Sequence, residues 1–162
     1  MNTSLVMDLK TANQLLAQSQ LFVRQATQDD LPQILTLEQL TSAYPCSQTQ
    51  LTNCIEQTYV LIYKNNLIGF SVIALVQDHA ELHSIAINPE NQGQGQGSLF
   101  LQALIYALPA KIEQFFLEVR VSNYRAIRLY HRMDFKKIAE RNDYYPNGLG
   151  REDAVVMARE CS

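Results

Sequence analysis

The period of the apolar residues changes several times along the chain, and each change predicts a different element of secondary structure. Between residues 58 and 87, the runs TYVLIYK, LIGFSVIALV and AELHSIAI are rich in β-branched and aromatic residues and predict consecutive strands. The residues KNN between the first two suit a tight hairpin turn. The runs GSLFLQALIYAL and SNYRAIRLYHRM have the period of a helix instead. The whole pattern predicts the order β-α-α-β-β-β-α-β-α-β-β, a mixed α/β fold with several hairpins.

Composition limits the class of protein. Of the 162 residues, 47% are hydrophobic and 18% are charged, which fits one globular domain. The net charge of −3 argues against a general nucleic-acid binder, which would carry a basic surplus, and is compatible with a basic peptide as partner. Residues 1–20 have a loosely helical apolar spacing, so we interpret them as an N-terminal extension and residues 21–162 as a single domain.

Cysteines and histidines do not predict a disulfide or a metal site. Cys46, Cys54 and Cys161 are odd in number and widely spaced, which favours reduced thiols in a cytoplasmic protein. His79 and His83 lie four apart in a predicted strand, a span of ~13 Å that is too long for one zinc ion. No run approaches the roughly 18–20 apolar residues of a membrane span. We expect no metal, no membrane and a cytoplasmic location.

Gly93, Gly95 and Gly97 fall between a predicted strand that ends at Ile87 and a predicted helix that begins near Ser98. The first N–H groups of a helix lack partners, and glycine lets an anion approach the backbone, so the segment suits a phosphate or pyrophosphate. A glycine-rich turn without a ligand is the alternative. The chain has no Gly-Lys-Ser/Thr of a P-loop, and G-x-G-x-G past mid-chain argues against a dinucleotide fold.

Longer motifs narrow this interpretation. The pattern Gln92-x-x-Gly95-x-Gly97 resembles the acyl-CoA signature of the GNAT acetyltransferase superfamily. The runs LEVRVSNYRAIRLYHRMDF, RNDYYPNGLGREDAVVM and AYPCS resemble runs of its ribosomal-protein-alanine N-acetyltransferase subfamily, with Cys46 where that subfamily has tryptophan. The resemblance covers residues 21–159. It implies the GNAT fold, a mixed and mostly antiparallel central sheet with strands four and five splayed apart, flanked by helices.

The resemblance also implies that acetyl-CoA is the co-substrate. A strand segment would pair with its pantetheine arm, and the N–H groups of the glycine segment would hold its pyrophosphate. The implied cofactor-binding residues are Ile85, Ala86, Ile87, Gly93, Gln94, Gly95, Gln96, Gly97, Ser98 and Asn123. For Asn123, capping the helix that follows is an equally open role. Relatives often carry basic residues at positions 93 and 98, so we expect weaker CoA affinity here.

Two residues are candidates for proton transfer. Alternation in FFLEVRV places Glu118 on one face with Phe116 and Arg120, where a partly desolvated carboxylate would suit proton removal. The alternative is a solvated carboxylate paired with Arg120. By the resemblance, Tyr130 would be the acid that protonates the departing CoA thiolate, and the alternative is a tyrosine that only fills the core.

The resemblance implies a peptide site walled by four residues: Tyr44, Pro45, Tyr144 and Tyr145. An ordinary aromatic hairpin is the alternative for the last two. Arg151, Glu152 and Asp153 could orient the substrate or close the last strand pair. Asp134 stands where the subfamily has glycine after a helix, so we expect a left-handed backbone there at a small cost in stability.

The implied reaction acetylates an N-terminal α-amine, with the N-terminal alanine of a small-subunit ribosomal protein as acceptor. An α-amine has a pKa of about 7.7–8.0 and the lysine side chain about 10.4. Near pH 7 an α-amine is therefore far more often neutral, and a weaker base is enough to deprotonate it. Two other functions remain open: acetylation of a small-molecule amine, and a CoA-binding module without turnover.

Overall fold

The structure, a computed structural model, describes residues 5–161, which contain five α-helices and seven strands. The helices are α1 (Leu9–Leu16), α2 (Leu31–Thr41), α3 (Gln48–Asn53), α4 (Gln96–Tyr106) and α5 (Tyr124–Arg132). The strands are β1 (Leu21–Gln25), β2 (Thr58–Tyr63), β3 (Asn66–Val76), β4 (His79–Ile87), β5 (Gln114–Arg120), β6 (Lys136–Asn147) and β7 (Gly150–Glu160). The predicted order is confirmed, and α1 precedes it.

Hydrogen bonds join the strands in the order β1-β2-β3-β4-β5-β7-β6. The pairs β1-β2, β2-β3, β5-β7 and β6-β7 are antiparallel, whereas β4 and β5 are parallel. The parallel ladder joins His79–Leu82 to Gln114–Leu117 and so uses only the first part of β4. This is the mixed, mostly antiparallel sheet that was predicted.

The chain forms two compact units, one of residues 5–74 with 84–109 and the other of residues 75–83 with 110–161. In the first unit Tyr63 pairs with Asn66, so a two-residue turn joins β2 to β3. Lys64 and Asn65 in this turn have φ of 50° and 66°, as tight hairpin turns require. The predicted hairpin is confirmed. The buried cluster of this unit contains Ala26, Leu31, Ile34, Leu37, Leu51, Val60, Phe70, Val72 and Ala86.

Helix α1 is held to the first unit by its buried side and by its polar residues. Ala12 and Leu16 are fully buried. The amide of Asn13 bonds both backbone groups of Val23, at 2.9 and 2.7 Å. These contacts join α1 to β1. The division of the chain at residue 20 stays a prediction, and residues 1–4 of the predicted extension lie outside the described residues.

The second unit is built around the β6–β7 hairpin and β5. Phe115 of β5 packs against Phe135 with ring centroids 5.5 Å apart, and both rings are buried. β7 begins at Gly150, which pairs with Asn147 across a two-residue turn. The pairing of β6 with β7 shifts register between Arg141 and Tyr145, which marks a bulge.

Asp134 follows α5 with φ of 66°, which confirms the predicted left-handed backbone. The N–H of Phe135 donates to the carbonyl of Tyr130 at 3.0 Å and closes the helix end. The Asp134 carboxylate accepts a bond from Arg159 at 3.1 Å. Aspartate therefore adopts the left-handed conformation at this position, and Arg159 binds its carboxylate. Within the described chain, no helix is both long and apolar enough to cross a membrane.

Candidate functional site

The glycine segment, residues 92–98, lies in the first unit between β4 and α4. Gly93 and Gly95 have φ of 81° and 78°, in the region that favours glycine. A Cβ added at either would meet no described atom within 4 Å. These two glycines are therefore required by backbone conformation rather than by lack of room.

Helix α4 begins at Gln96, with Gly95 as its N-cap, and not near Ser98 as predicted. The positive φ of Gly95 turns the chain into the helix earlier than the apolar period indicates. Gly97 thus lies in the first turn, and a Cβ there would be 3.5 Å from Cγ1 of Ile87, an ordinary contact. Among residues 5–161, no contact requires a glycine at 97.

The first turn of α4 offers groups for an anionic ligand. Its leading N–H groups have no intrahelical partners and carry partial positive charge. The side chain of Gln96 is buried, and its Oε1 has no hydrogen-bond partner within residues 5–161. Beside it, Gln92 donates from Nε2 to the carbonyl of Ile87 at 2.9 Å, which ties the segment to the end of β4.

Gly69 of β3 is a residue that the sequence analysis missed. A Cβ there would lie 2.7 Å from the backbone oxygen of Ala86 and 2.8 Å from Cδ1 of Ile87, closer than real Cβ atoms come. The N–H of Asn88 donates to the carbonyl of Ile68 at 2.7 Å on the same edge. Gly69 therefore lets the end of β4 lie close against β3. A glycine inside a strand pattern is the signal that could have revealed this approach.

A cavity of about 650 Å³ opens in the second unit, and we call it the Glu118 cavity. Its walls come from the first part of β4, from β5, and from the β6–β7 hairpin. They are formed by Glu81, Leu82, His83, Phe116, Leu117, Glu118, Ile138, Arg141, Tyr144, Tyr145 and Val156. The cavity thus joins three of the predicted site residues, Glu118, Tyr144 and Tyr145.

Glu118 lies on the less buried face of β5, as the alternation predicts, while Leu117 and Val119 are buried. Its Oε1 is 3.2 Å from Nε of Arg141. The Tyr144 hydroxyl donates to the same carboxylate, and this hydrogen bond is the main cause that raises the pKa of Tyr144. Glu118 is therefore a charged group on the cavity wall that a guanidinium and a phenol both contact.

Arg120, the partner that the alternative interpretation gave to Glu118, forms an ion pair with Glu152 at 3.0 Å. Its guanidinium lies 4.6 Å from the ring centroid of Tyr145 and donates to the carbonyl of Pro146 at 2.6 Å. The hydrogen bond from the Ser122 side chain, followed by the one from Arg120, lowers the pKa of Glu152. Arg120 thereby fixes the wall around Tyr145.

Tyr144 and Tyr145 belong to β6 rather than to a separate corner. Tyr145 pairs with Glu152 of β7, and the two tyrosine rings meet edge to face with centroids 4.9 Å apart. They form both an aromatic hairpin and a wall of the cavity, so the two interpretations are compatible. Burial, and then the charge of Glu118, raise the pKa of Tyr145 to about 12.

The side chains of residues 151–153 form hydrogen bonds and an ion pair with other residues of the second unit. Arg151 donates to the carbonyl of Tyr144 at 3.2 Å, and Asp153 accepts from the N–H of Asp143 at 2.9 Å. With the Arg120–Glu152 pair, these bonds close the β6–β7 hairpin against β5. They favour the second of the two roles that the sequence left open.

Tyr130 is 8% exposed and packs against Phe135 with centroids 5.8 Å apart. Burial, with a smaller contribution from Tyr145, raises its pKa to about 12. Its hydroxyl therefore keeps its proton at any physiological pH. Asn123 accepts a bond from the N–H of Ala126 at 3.2 Å, which confirms its role as helix cap.

A row of three polar side chains on β4, which the sequence analysis missed, brings Glu81 and His83 to the cavity wall and places His79 next to them. Oε2 of Glu81 is 3.0 Å from Nε2 of His83, and its Oε1 is 3.4 Å from Nε2 of His79. Alternation along the strand places all three on one face, a signal that was available in HAELH. Within residues 5–161 no three His, Cys, Asp or Glu side chains are placed to share a metal ion.

Comparison with known proteins decides the family. The model of the Acetyltransferase (GNAT) family matches residues 22–135. The chain belongs to the GNAT acetyltransferase family. The [Ribosomal protein bS18]-alanine N-acetyltransferase of Escherichia coli K12 is 36% identical to this GNAT chain over 137 residues, 82% of the chain and 93% of that protein. The protein of the same name from Haemophilus influenzae is 40% identical over 134 residues, 80% of this chain and 91% of that one.

Solved structures support the same assignment. The crystal structure of the ribosomal-protein-S18-alanine N-acetyltransferase from Escherichia coli matches with a TM-score of 0.82 at 34% identity, over 88% of this chain and 94% of that one. The predicted GNAT fold and N-acetyltransferase class are therefore confirmed. So is acetyl-CoA as co-substrate, because it is the acyl donor of the GNAT fold.

The residues of the glycine segment fit a diphosphate in this GNAT chain. Two left-handed glycines lead into the N-terminus of α4, where the first N–H groups have no intrahelical partner and can donate to phosphate oxygens. Tyr44 and Pro45 lie in the first unit, where Tyr44 is 44% exposed. Their part in a wall with Tyr144 and Tyr145 stays a prediction, as do the contacts of Ile85–Ile87 with the pantetheine arm.

Proposed function

We propose that this GNAT enzyme acetylates the N-terminal α-amine of a protein, and that its acceptor is the N-terminal alanine of a small-subunit ribosomal protein. The observation that carries the proposal is the Glu118 cavity, where a carboxylate at the end of β5 lies among aromatic rings. Relatives 36–40% identical over most of the chain are named for this acceptor.

The cavity suits an ammonium group that must become a neutral amine. Glu118 and Glu81 supply negative charge on its wall, and the rings of Tyr144, Tyr145 and Phe116 offer faces that attract cations. A volume of about 650 Å³ has room for the first residues of a peptide. An α-amine, with an ordinary pKa of about 7.7–8.0, loses its proton near neutrality.

Glu118 would first bind the ammonium and then take a proton from its nitrogen. Arg141 already holds a cationic group 3.2 Å from this carboxylate, so the incoming ammonium replaces one cation by another. The Arg141 side chain is 55% exposed, and exposed ion pairs contribute only about 0–1 kcal/mol, so its displacement is easy. Tyr144 keeps the carboxylate oriented through its hydroxyl.

Tyr130 would hold a proton ready for the leaving group. With a pKa of about 12 it is protonated throughout the working range of pH. Acetyl-CoA supplies an acetyl group activated as a thioester, and the glycine segment with Asn123 would hold it. Because Gly93 and Ser98 lack basic side chains, the backbone N–H groups of Gly93–Ser98 carry this contact.

A cytoplasmic location is part of the proposal. Cys46, Cys54 and Cys161 are all free thiols, as a reducing compartment favours. The acceptor would be the end of a basic protein, which the charge of −3 does not repel. We assign neither nucleic acid nor a membrane as a partner.

The test is intact-mass analysis of a basic peptide that begins with alanine, incubated with the protein and acetyl-CoA. We expect one added acetyl group, located at the N-terminus by fragmentation. The same peptide with a blocked N-terminus should stay unmodified although its lysines are free. Acetylation of a panel of polyamines but not of the peptide would favour the small-amine function. Binding of acetyl-CoA without any turnover would favour a CoA-binding module.

A further inference from the structure

The wall of the Glu118 cavity holds a titratable pair to which the proposed function gives no role. His83 and Glu81 both line the cavity, and Nε2 of His83 is 3.0 Å from Oε2 of Glu81. His79 contacts Glu81 from its other side at 3.4 Å but does not line the cavity. The pair therefore presents one imidazole to the space where the amine would bind.

The partner of His83 decides which ring nitrogen is available. The hydrogen bond with His83, followed by that with His79, lowers the pKa of Glu81, so Glu81 is a carboxylate that can only accept. Nε2 of neutral His83 must then carry the hydrogen. Its Nδ1 keeps a lone pair, and the carboxylate stabilises the imidazolium that forms when Nδ1 takes up a proton.

His83 and Glu118 both lie where the β4–β5 ladder ends. β4 and β5 run parallel, and Leu82 with Leu117 is the last pair of their ladder. His83 and Glu118 are the next residue on each strand, and both line the cavity. The titratable and charged groups that line the cavity with His83 are Glu81 of β4, Glu118 of β5, and Arg141, Tyr144 and Tyr145 of β6.

General-base chemistry favours an imidazole over a carboxylate at this point. The most effective base has a pKa near the operating pH. Carboxylic acids of the glutamate type ordinarily titrate near 4.3 and imidazoles near 6.5, against 7.7–8.0 for an α-amine. Among the side-chain types on the cavity wall, imidazole is the best-matched acceptor for the proton of an amine that attacks a thioester.

We propose that His83 is a further catalytic base of this site, which takes the amine proton at Nδ1 as the C–N bond forms, and that Glu81 positions it. This inference rests on the proposed function. The N–H bond breaks, its electron pair stays on nitrogen, and the proton passes to Nδ1 directly or through one water. The C–S bond of the thioester breaks, and its sulfur leaves as a thiol with the proton from Tyr130. The imidazolium then releases the proton to solvent. Glu118 binds and orients the ammonium and shares the proton transfer.

The test is the pH dependence of kcat/KM for the alanine-starting peptide, measured with the wild type and with His83→Gln. Protonation of the peptide amine alone makes log kcat/KM fall with a slope of one below its pKa. If His83 is the base, its protonation at acidic pH adds a second unit of slope. We expect slope two in the wild type at acidic pH and slope one in His83→Gln, with kcat/KM about 10-fold or more lower near pH 7.

Glu81→Gln tests the positioning role, because it keeps the shape and removes the charge. We expect the break between the two slopes to move to lower pH, since the imidazolium loses its carboxylate partner. His79→Gln is the matched control, because it removes the other contact of Glu81 and should leave the break in place. The side chains of His83 and Glu81 are 49% and 43% exposed, so both variants should fold.

The outcomes separate this inference from the proposed function. Wild type that does not acetylate the peptide rejects the proposed function. If the wild type is active but His83→Gln keeps slope two, or loses activity equally at every pH, then His83 is not a base and only the inference is rejected. His83→Asn repeats the measurement with a shorter side chain, and agreement between the two variants excludes a packing defect as the cause.

Discussion

The glycine segment and the Glu118 cavity use different parts of the polypeptide. In the segment, the backbone itself is exposed, because Gly93 and Gly95 take left-handed conformations before the open N-terminus of α4. In the cavity, the backbone groups of β5 are paired with those of β7, so side chains carry the charge. A protein can thus present binding groups in two ways: through backbone conformation, which exposes N–H groups, or through the chemistry of its side chains.

This difference determines which substitutions each region tolerates. The glycine segment should accept changes of charge but reject a Cβ at a left-handed position. The Glu118 cavity should tolerate changes of backbone preference but not the loss of the Glu118 carboxylate charge. Six substitutions test this contrast.

Glu118→Gln should have the largest effect. It preserves shape and removes the charge that binds the ammonium and takes part in proton removal. We expect kcat/KM for the alanine-starting peptide to fall about 10²–10⁴-fold, with the affinity for acetyl-CoA unchanged. Steady-state kinetics measure kcat/KM, and calorimetry measures the affinity for acetyl-CoA. A parallel loss of acetyl-CoA binding would show that the two regions do not work separately.

Tyr130→Phe should lower kcat by about 10- to 100-fold, because the leaving group loses its proton donor. Its effect on pH stability has a definite sign. The folded pKa of about 12 lies above the ordinary value of 10.0, so the unfolded chain releases this proton first. The free energy of unfolding should therefore decrease between pH 10 and 12, by up to ~1.4 kcal/mol per pH unit from this group. Urea unfolding at several alkaline pH values should show a weaker decrease in Tyr130→Phe.

Gly69→Ala should destabilise the first unit. Its Cβ would lie 2.7 Å from the backbone oxygen of Ala86, and the end of β4 must move to admit it. We expect the free energy of unfolding to fall by about 1–3 kcal/mol in urea denaturation. Gly150→Ala is the matched control, because its Cβ would be 3.9 Å from the Asn147 oxygen. Equal stability of both variants would contradict the close approach at Gly69.

Gly95→Ala and Gly97→Ala should have opposite effects on stability. Gly95 has φ of 78°, so alanine there should cost about 1–2 kcal/mol. Gly97 lies in helix α4, where alanine should gain up to about 1 kcal/mol. Both variants should bind acetyl-CoA more weakly, Gly95→Ala through the backbone and Gly97→Ala through contact of its methyl group with the ligand. Thermal melts and calorimetry together distinguish these causes.

Arg141→Gln should have the smallest effect. It removes the cation that competes with the ammonium for Glu118 and leaves a polar side chain of similar reach. We expect KM for the peptide to fall by about 2- to 5-fold, the range of an exposed ion pair. Peptide titrations at low and high salt measure it, and the difference between wild type and variant should shrink as salt screens the pair. A rise in KM would instead make Arg141 part of the binding surface.

The sequence by itself determined the elements and the family. The change of apolar period at TYVLIYK and the turn residues at 64–66 act locally, and the structure has the strands and the hairpin there. The motifs around Gly95, Asn123 and Tyr144 are contiguous in the chain, so they could be recognised without knowledge of contacts. Asp134 was expected in a left-handed conformation for the same reason, because the end of a helix imposes it locally.

Only the tertiary structure decided which side chains share a space. Glu81, His83 and Arg141 meet Glu118 through strand pairing between segments far apart in the chain, and no spacing encodes such a meeting. Gly69 is required because the end of β4 passes close to it. Arg120 forms its ion pair with Glu152 of β7, a residue far from it in the sequence. Local patterns fix φ and periodicity, whereas the charge environment of a carboxylate depends on distances that arise only when the strands pair.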